Sequence, residues 1–348
     1  MLSPISPLLS RRAPAGIDAF DIVLRDGRPV LVSDALHTWD LRADKWTAFD
    51  LAAPWPPEAQ ADYIDMRAIG AVVVDGRVVV GGGGDHQGFA QWDLDSGAVR
   101  TYARRDHGGV ATVATLEAAG RTLFIAGGTG PSVHVWDATR RDPLPVDFED
   151  DDENEPIALD QTEPAGVAAG LLRGRPVAVT ESDNTVLVWD LSDDEPETMV
   201  AFDEPNEDEL VDLVGEVEAE RLDWRLAAVT AVGLSGVAGR ESVLAATGGV
   251  LLFGDPDTGL WDETLVLPGG PTAHLDAAVA GGRAVAVTGA EDGTVCLVDL
   301  ERRDLVIAPF QAHEGEIVGV RVLELDGRPA ALTVGRDDHV RAWPFTAP

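Results

Sequence analysis

Apolar residues in this chain come in short bursts, each closed by glycine, aspartate or proline, and many alternate with polar residues at a period of two. "GRPVAVTESDNTVLVWDL" at 174–191 shows the form: an apolar run, a polar turn, and a second run ending on Trp-Asp. Period-two alternation bounded by turn formers predicts β-strands joined by hairpins. Nearly the same phrase starts at 27 ("GRPVLVSDALHTWDL"), 76, 120, 239, 282 ("GRAVAVTGAEDGTVCLVDL") and 327 ("GRPAALTVGRDDHVRAWPF"). The seven Gly-Arg pairs lie 43 to 65 residues apart, yet the step from Gly to the Trp position is always 12 to 16 residues. The hairpin is constant and the connections vary.

A further apolar run precedes the Gly-Arg pairs, as in "AIGAVVV" and "EIVGVRVL", and another follows Trp-Asp, as in "KWTAF" and "DLVIAPF". Four short strands per repeat predict an all-β chain built of four-stranded antiparallel sheets. The "DGR" and "AGR" pieces supply the glycine that a tight hairpin with positive φ requires.

At these residues the chain resembles the WD40 family of β-propellers. Trp39, Trp92, Trp136 and Trp189 are each followed by Asp, Trp343 by Pro; Phe253 replaces one Trp, and Val298-Asp299 another. The resemblance implies one domain over 1–348, a seven-bladed β-propeller of four-stranded antiparallel blades. It also implies a hydrogen-bonded set of His, Ser/Thr, Asp and Trp in a blade. The last repeat matches that set with His313, Thr333, Asp337 and Trp343. Repeat six keeps His274, Thr288 and Asp292 without the Trp, and repeat three keeps His107 and Trp136 without the Asp. Five residues follow Trp343, too few for another strand, so the segment near "ISPLLSR" is expected to complete the last blade and close the ring.

Composition narrows the partners. A net charge of −35 repels a phosphate backbone, so nucleic acid is not expected. Lys45 is the one lysine; the arginine bias fits a GC-rich bacterial genome or a salt-adapted proteome. No apolar run approaches the ~18 residues of a membrane span, and the first arginines follow the apolar stretch, the reverse of a secretion signal. A cytoplasmic, monomeric protein is expected. Cys296, the single cysteine, sits in "TVCLVDL" and reads as a buried strand thiol.

Catalytic motifs are missing. "VVVGGGGDHQG" lacks the GxGxxG spacing and leads into a strand instead of a helix; there is no GxSxG and no HExxH. "DDDENEP" places Asp150, Asp152 and Asn154 at calcium-loop spacing, but Glu155 stands where glycine is needed and Gln161 where the last glutamate belongs. No histidine pair has metal spacing. The expectation is no catalytic residue, no metal and no cofactor.

Insertions carry the remaining signal. Assigned by the repeat, residues 51–65, 147–163 and 203–225 all connect a fourth strand to the next first strand, and so share one rim; the last two are strongly acidic. The opposite rim collects the arginines of the Gly-Arg hairpins together with Lys45, which predicts an electrically polar molecule. "NEDELVDLVGEVEAERLDW" is the one stretch with helical periodicity, capped by Asn206 and striped by Leu210, Leu213, Val214 and Val217. That stripe either docks on its own propeller or meets a partner. Candidate partner-binding residues are Trp55, Asp85, His86, Asp150, Asp151, Asp152, Glu153, Glu181, Asp183, Glu207, Asp208, Glu209, Leu213 and Asp292. The family resemblance implies a non-catalytic scaffold that binds a protein partner with a basic surface through one propeller face. The alternative is an enzyme, or a small-ligand or calcium binder, working at the mouth of the central channel.

Overall fold

The structure is a computed structural model; it describes residues 5–49, 66–84, 87–101, 109–118, 120–128, 133–139, 157–159, 166–182, 185–193, 196–203, 205, 207–214, 229–237 and 240–345. After β1 (Leu9–Arg12), the first blade is β2 (Phe20–Arg25), β3 (Arg28–Ser33), β4 (His37–Asp40) and β5 (Lys45–Ala48). The second is β6 (Ala68–Val74), β7 (Arg77–Gly84), β8 (Gln87–Asp93) and β9 (Val99–Thr101); the third is β10 (Val110–Ala118), β11 (Arg121–Gly128), β12 (Val133–Asp137) and β13 (Ile157–Leu159). The fourth is β14 (Gly166–Leu172), β15 (Arg175–Ser182), β16 (Thr185–Asp190) and β17 (Glu197–Asp203), followed by the helix α1 (Glu207–Val214). The fifth is β18 (Val229–Val237), β19 (Arg240–Thr247), β20 (Val250–Asp255) and β21 (Leu260–Val266). The sixth is β22 (Thr272–Ala280), β23 (Arg283–Ala290), β24 (Thr294–Asp299), β25 (Asp304–Leu305) and β26 (Phe310–Gln311). The seventh is β27 (Ile317–Leu325), β28 (Arg328–Gly335) and β29 (His339–Pro344), completed by β1 in the order β1-β29-β28-β27.

First strands touch in the cycle β2, β6, β10, β14, β18, β22, β27 and back to β2, so the seven sheets form a closed propeller around a channel. The closing strand is antiparallel to β29, with Leu9 opposite Ala342 and Arg12 opposite His339. Second strands are buried on both faces because each blade is sandwiched between two others; β3, for instance, is buried from Pro29 to Ser33. Seven apolar clusters fill the seven junctions between blades. The hairpins behave as their sequence demands. Asp26-Gly27, Asp75-Gly76 and Asp326-Gly327 all have positive φ at both turn positions, the geometry of a two-residue type I′ turn.

Three expectations need correction. Ile157–Leu159 pairs with β12, so it is the fourth strand of blade three and lies inside the stretch read as a connection between blades. β12 therefore ends, and β13 begins, at the Gly-Arg face, opposite to the face where β5 and β17 end. The reason is local: "DPLPVDF" at 142–148 carries two prolines, which cannot donate to a ladder, whereas "IAL" can. In blade six, "DLVIAPF" is not one strand; β25 and β26 pair separately with β24, interrupted at Pro309. In blade five, Gly254 and not Phe253 stands at the Trp position, since Gly254 pairs with Val243 as Trp39 pairs with Leu31. A side chain on Gly254 would collide with Phe202, which fills that space from blade four.

Candidate functional site

The hydrogen-bonded set of the last blade forms. The Trp343 indole N–H donates to Thr333 Oγ1 at 3.0 Å, and Thr333 Oγ1 lies 2.7 Å from His313 Nε2. His313 Nδ1 is 2.8 Å from Asp337 Oδ1, and Arg341 donates to Asp337 Oδ2 at 2.8 Å. We assign the ring proton to Nδ1, which leaves Nε2 to accept from the threonine hydroxyl and gives a continuous chain from indole to carboxylate. Burial first, and then the Arg341 charge, hold His313 below its ordinary pKa in spite of Asp337. Burial alone would raise Asp337, but the bonds from His313 and Arg341 prevail, and its carboxyl is held far below the usual range. This cluster is committed to holding β27, β28 and β29 together.

Other blades use fragments of the set. Blade four keeps Trp189 Nε1 to Thr180 Oγ1 at 2.9 Å. In blade six His274 does not occupy the place of His313. It lies within β22, opposite Gly289, and faces the channel. Thr288 is buried there, the Cys296 thiol points to the Pro268 carbonyl at 3.7 Å, and burial pushes that thiol up to about 11. His107 lies outside the described residues.

A second device explains why Gly-Arg and Trp-Asp recur together. The Asp that ends the third strand in blades one to six accepts turn N–H groups with Oδ1, for example Ala43 to Asp40 at 2.8 Å, Ser192 to Asp190 at 2.8 Å and Glu301 to Asp299 at 3.1 Å. In blades one, two, four and six its Oδ2 faces the arginine of the same blade: Arg28–Asp40 at 3.6 Å, Arg77–Asp93 at 2.5 Å, Arg175–Asp190 at 3.1 Å and Arg283–Asp299 at 2.7 Å. Arg77, Arg175 and Arg283 are closely paired within their own blades, whereas the Arg28 contact is longer, so most of these arginines do not make that rim a free cationic surface.

The channel narrows to a cavity of roughly 240 Å3 lined by the first strands of all seven blades, with Phe20, Ile69, Val113, Leu275, His274 and Arg321 among its walls. Arg321 keeps 29% of its side-chain surface toward the channel while its Nε donates to Asp21 Oδ1 at 3.0 Å. The other oxygen of Asp21 accepts the Ala71 N–H at 2.9 Å, and Asp276 accepts the Val322 N–H at 2.6 Å. Each carboxylate thus reaches the first strand of the next blade, tying blade six to seven and one to two. Burial pushes Asp276 up, with Arg321 opposing; burial, then the Arg321 charge, brings His274 down to about 4 and keeps it neutral. At the mouth, Arg336 bridges Asp18 and Glu316, and burial, with Asp18 nearby, pushes Asp34 up to about 6. Sequence reasoning missed Asp21, Asp276 and Arg321, because single polar residues in three unlike first strands leave no repeating signal.

The candidate partner residues divide. Trp55, Asp85, His86, Asp150, Asp151, Asp152, Glu153 and Asp183 lie outside the described residues. Glu181 is buried near the end of β15. Asp292 is exposed and shapes its own turn, accepting from Thr294 at 2.9 Å and Gly270 at 3.0 Å. Glu207, Asp208, Glu209 and Leu213 are on α1, which lies against β21; Val214 packs on the core between blades four and five, and the Leu213 carbonyl accepts from Thr264 at 3.2 Å. The helix therefore docks on its own propeller. Among the described residues, no group of three or more His, Cys, Asp or Glu is placed to hold a metal. No described helix is long and apolar enough to cross a membrane.

Comparison with known proteins yields architecture alone. No family model matches the chain, and no curated protein matches it. Among solved structures it is similar to a chain in "Crystal Structure of Mitotic Checkpoint Complex", with a TM-score of 0.66 and 16% identity over 98% of this chain and 92% of that one. At that identity the shared property is the fold. The class defined here is a seven-bladed β-propeller closed by its N-terminal strand.

Proposed function

We propose that this chain is a divergent WD40-type propeller serving in the cytoplasm as a non-catalytic scaffold, and that it binds a protein partner with a basic surface through the face bearing 204–228. The observation that carries the reading is the seating of α1. Its apolar side is anchored through Val214, while Glu209 stays exposed in a segment where Glu207 and Asp208 are neighbours. A docked helix holds its backbone at a fixed place, which lowers the ordering cost of binding. Support also comes from the channel. Asp21 and Asp276 already hold N–H groups of adjacent blades, which favours a structural use of the channel over calcium binding or catalysis.

The test is affinity capture from the source organism, followed by titration of the purified partner against two variants. Replacing 204–220 by a Gly-Ser link should weaken binding and flatten its salt dependence, because salt shortens the Debye length from ~10 Å at 0.1 M to ~3 Å at 1 M. Replacing 149–156, which falls in sequence between β12 and β13, should not. Unchanged affinity and salt dependence in the first variant would refute the assignment of the face.

A further inference from the structure

At the rim bearing the Gly-Arg turns, four junctions between blades can be compared by the residue four places after the third-strand Asp. In the junction of blades five and six that residue is Arg303, held at φ 53. Its side chain is almost fully buried. It packs 4.7 Å over the Phe253 ring and donates to Ser242 Oγ at 3.2 Å, Asp262 at 3.0 Å and Glu263 at 2.6 Å. Between blades four and five the position is Gly259, where a Cβ would lie 2.6 Å from the Ala201 carbonyl, so the blades meet directly. Between blades seven and one it is Asp44, paired with Arg11 of the closing strand at 2.8 Å.

Between blades one and two it is Gly97, at φ 70, which has no side chain to offer. What remains is a cleft of roughly 350 Å3 with an apolar floor of Val30, Phe49, Val78 and Leu94. By register, Val30, Thr38 and Thr47 here are the counterparts of Ser242, Phe253 and Glu263, the walls that grip Arg303. The balance of charge differs. Threonine replaces the acid, Lys45 takes the place of Leu260, and Arg25 and Arg28 line the same cleft. Arg25 is held by Asp95 at 2.8 Å, and Arg28 is 3.6 Å from Asp40. Asp26 and Asp40 also line the cleft, so three cations stand against two carboxylates.

We propose that this cleft binds a small organic anion, a carboxylate or phosphate on a compact apolar body. The anionic group sits between Lys45 and Arg28 with the Thr38 and Thr47 hydroxyls as further donors, and the body rests on Val30, Val78 and Leu94. The chemistry follows from the walls: Lys45, the loosely paired Arg28 and two threonines line one cleft with an apolar floor. This site is on the opposite face from the scaffold surface and is independent of it.

Phenyl phosphate and benzoate are the probes, with benzyl alcohol as the neutral isostere, titrated by calorimetry or by NMR shifts. Saturable binding of one or both anions is expected, with binding of the alcohol at least ten-fold weaker. Lys45→Met should weaken the anion at least ten-fold. Gly97→Glu, which places a carboxylate over the cleft as Arg303 is placed over its own, should abolish binding; thermal melting checks that the variant is folded. Lys45→Met is an exposed substitution and keeps the test alive if Gly97→Glu misfolds. The proposal is overturned if neither anion saturates at millimolar concentration, if the alcohol binds equally well, or if Lys45→Met binds as the parent does.

Discussion

Blades five and seven meet the same demand in opposite ways. Each must fill the volume beside its third strand and hold three strands in register. Blade seven does so with a buried polar chain from Trp343 through Thr333 and His313 to Asp337. Blade five has glycine where the Trp would stand, and the space is taken by Phe202 of its neighbour, tilted against Trp261 at 4.7 Å, whose N–H donates to the Asp203 carbonyl at 2.7 Å. The repeat signature is therefore one solution to a packing problem. Where the residues of the signature are lost, apolar volume from next door replaces them, and the fold survives at low sequence identity.

The largest effect is expected from the strand that closes blade seven. Deleting residues 1–16 removes β1 and the buried Ala13 and leaves β29 with an open edge, at a cost of several kcal/mol, since each buried apolar side chain contributes ~1.5–3 kcal/mol. Thermal melting of the truncated chain at the parent temperature would contradict the closure. Next comes Phe202→Ala, which empties the space beside Gly254 and should cost about 3–5 kcal/mol in denaturant unfolding. A cost below about 1 kcal/mol would mean that blade five does not depend on its neighbour.

Asp337→Ala should cost about 1–3 kcal/mol by leaving His313 and Arg341 without their acceptor. Asp326→Asn is the control: it keeps a side chain suited to the positive φ of its turn and loses only the attraction to Arg42, 3.3 Å away on the surface, so it should cost under about 0.5 kcal/mol. Equal losses would deny the network its structural role. The smallest effect belongs to the repeated Arg-Asp pairs. Asp190→Asn keeps the oxygen that caps the turn and loses only the attraction to half-exposed Arg175, so under about 1 kcal/mol is expected, and less in high salt.

The four strands per blade, the ring and the glycine-bearing hairpins were legible because each rests on a local pattern that recurs along the chain, and the N-terminal closure because only five residues follow Trp343. His313, Thr333, Asp337 and Trp343 were expected from the family resemblance of the last repeat. What was not legible depends on partners far apart in sequence. Phe202 substitutes for a Trp in the next blade, Arg303 fills a groove between blades, and Asp21 meets Arg321 across 300 positions. The fourth strand of blade three was misplaced because the repeat assigned 147–163 to a connection between blades, whereas Ile157–Leu159 within it pairs with β12. The pairing of Gly-Arg with Trp-Asp was within reach of the sequence, since both recur in the same units at nearly constant spacing.

The central claim is that a neutral His313 holds blade seven from inside, and the pH dependence of its loss tests it most directly. Burial lowers the folded pKa of His313 below its unfolded value of about 6.5. As pH falls below that value the unfolded chain takes up a proton that the folded chain refuses, so the stability His313 supplies is full at neutral pH and lost toward acid. Asp34 and Asp276, pushed up by burial, act in the opposite direction but are common to parent and variant and cancel in the difference. Denaturant unfolding of parent and His313→Gln should be measured at intervals from pH 7.5 to 5. The account predicts a cost of roughly 1–3 kcal/mol at pH 7.5 that shrinks steadily below about pH 6.5. A cost that stays constant, or grows, across that range would contradict it.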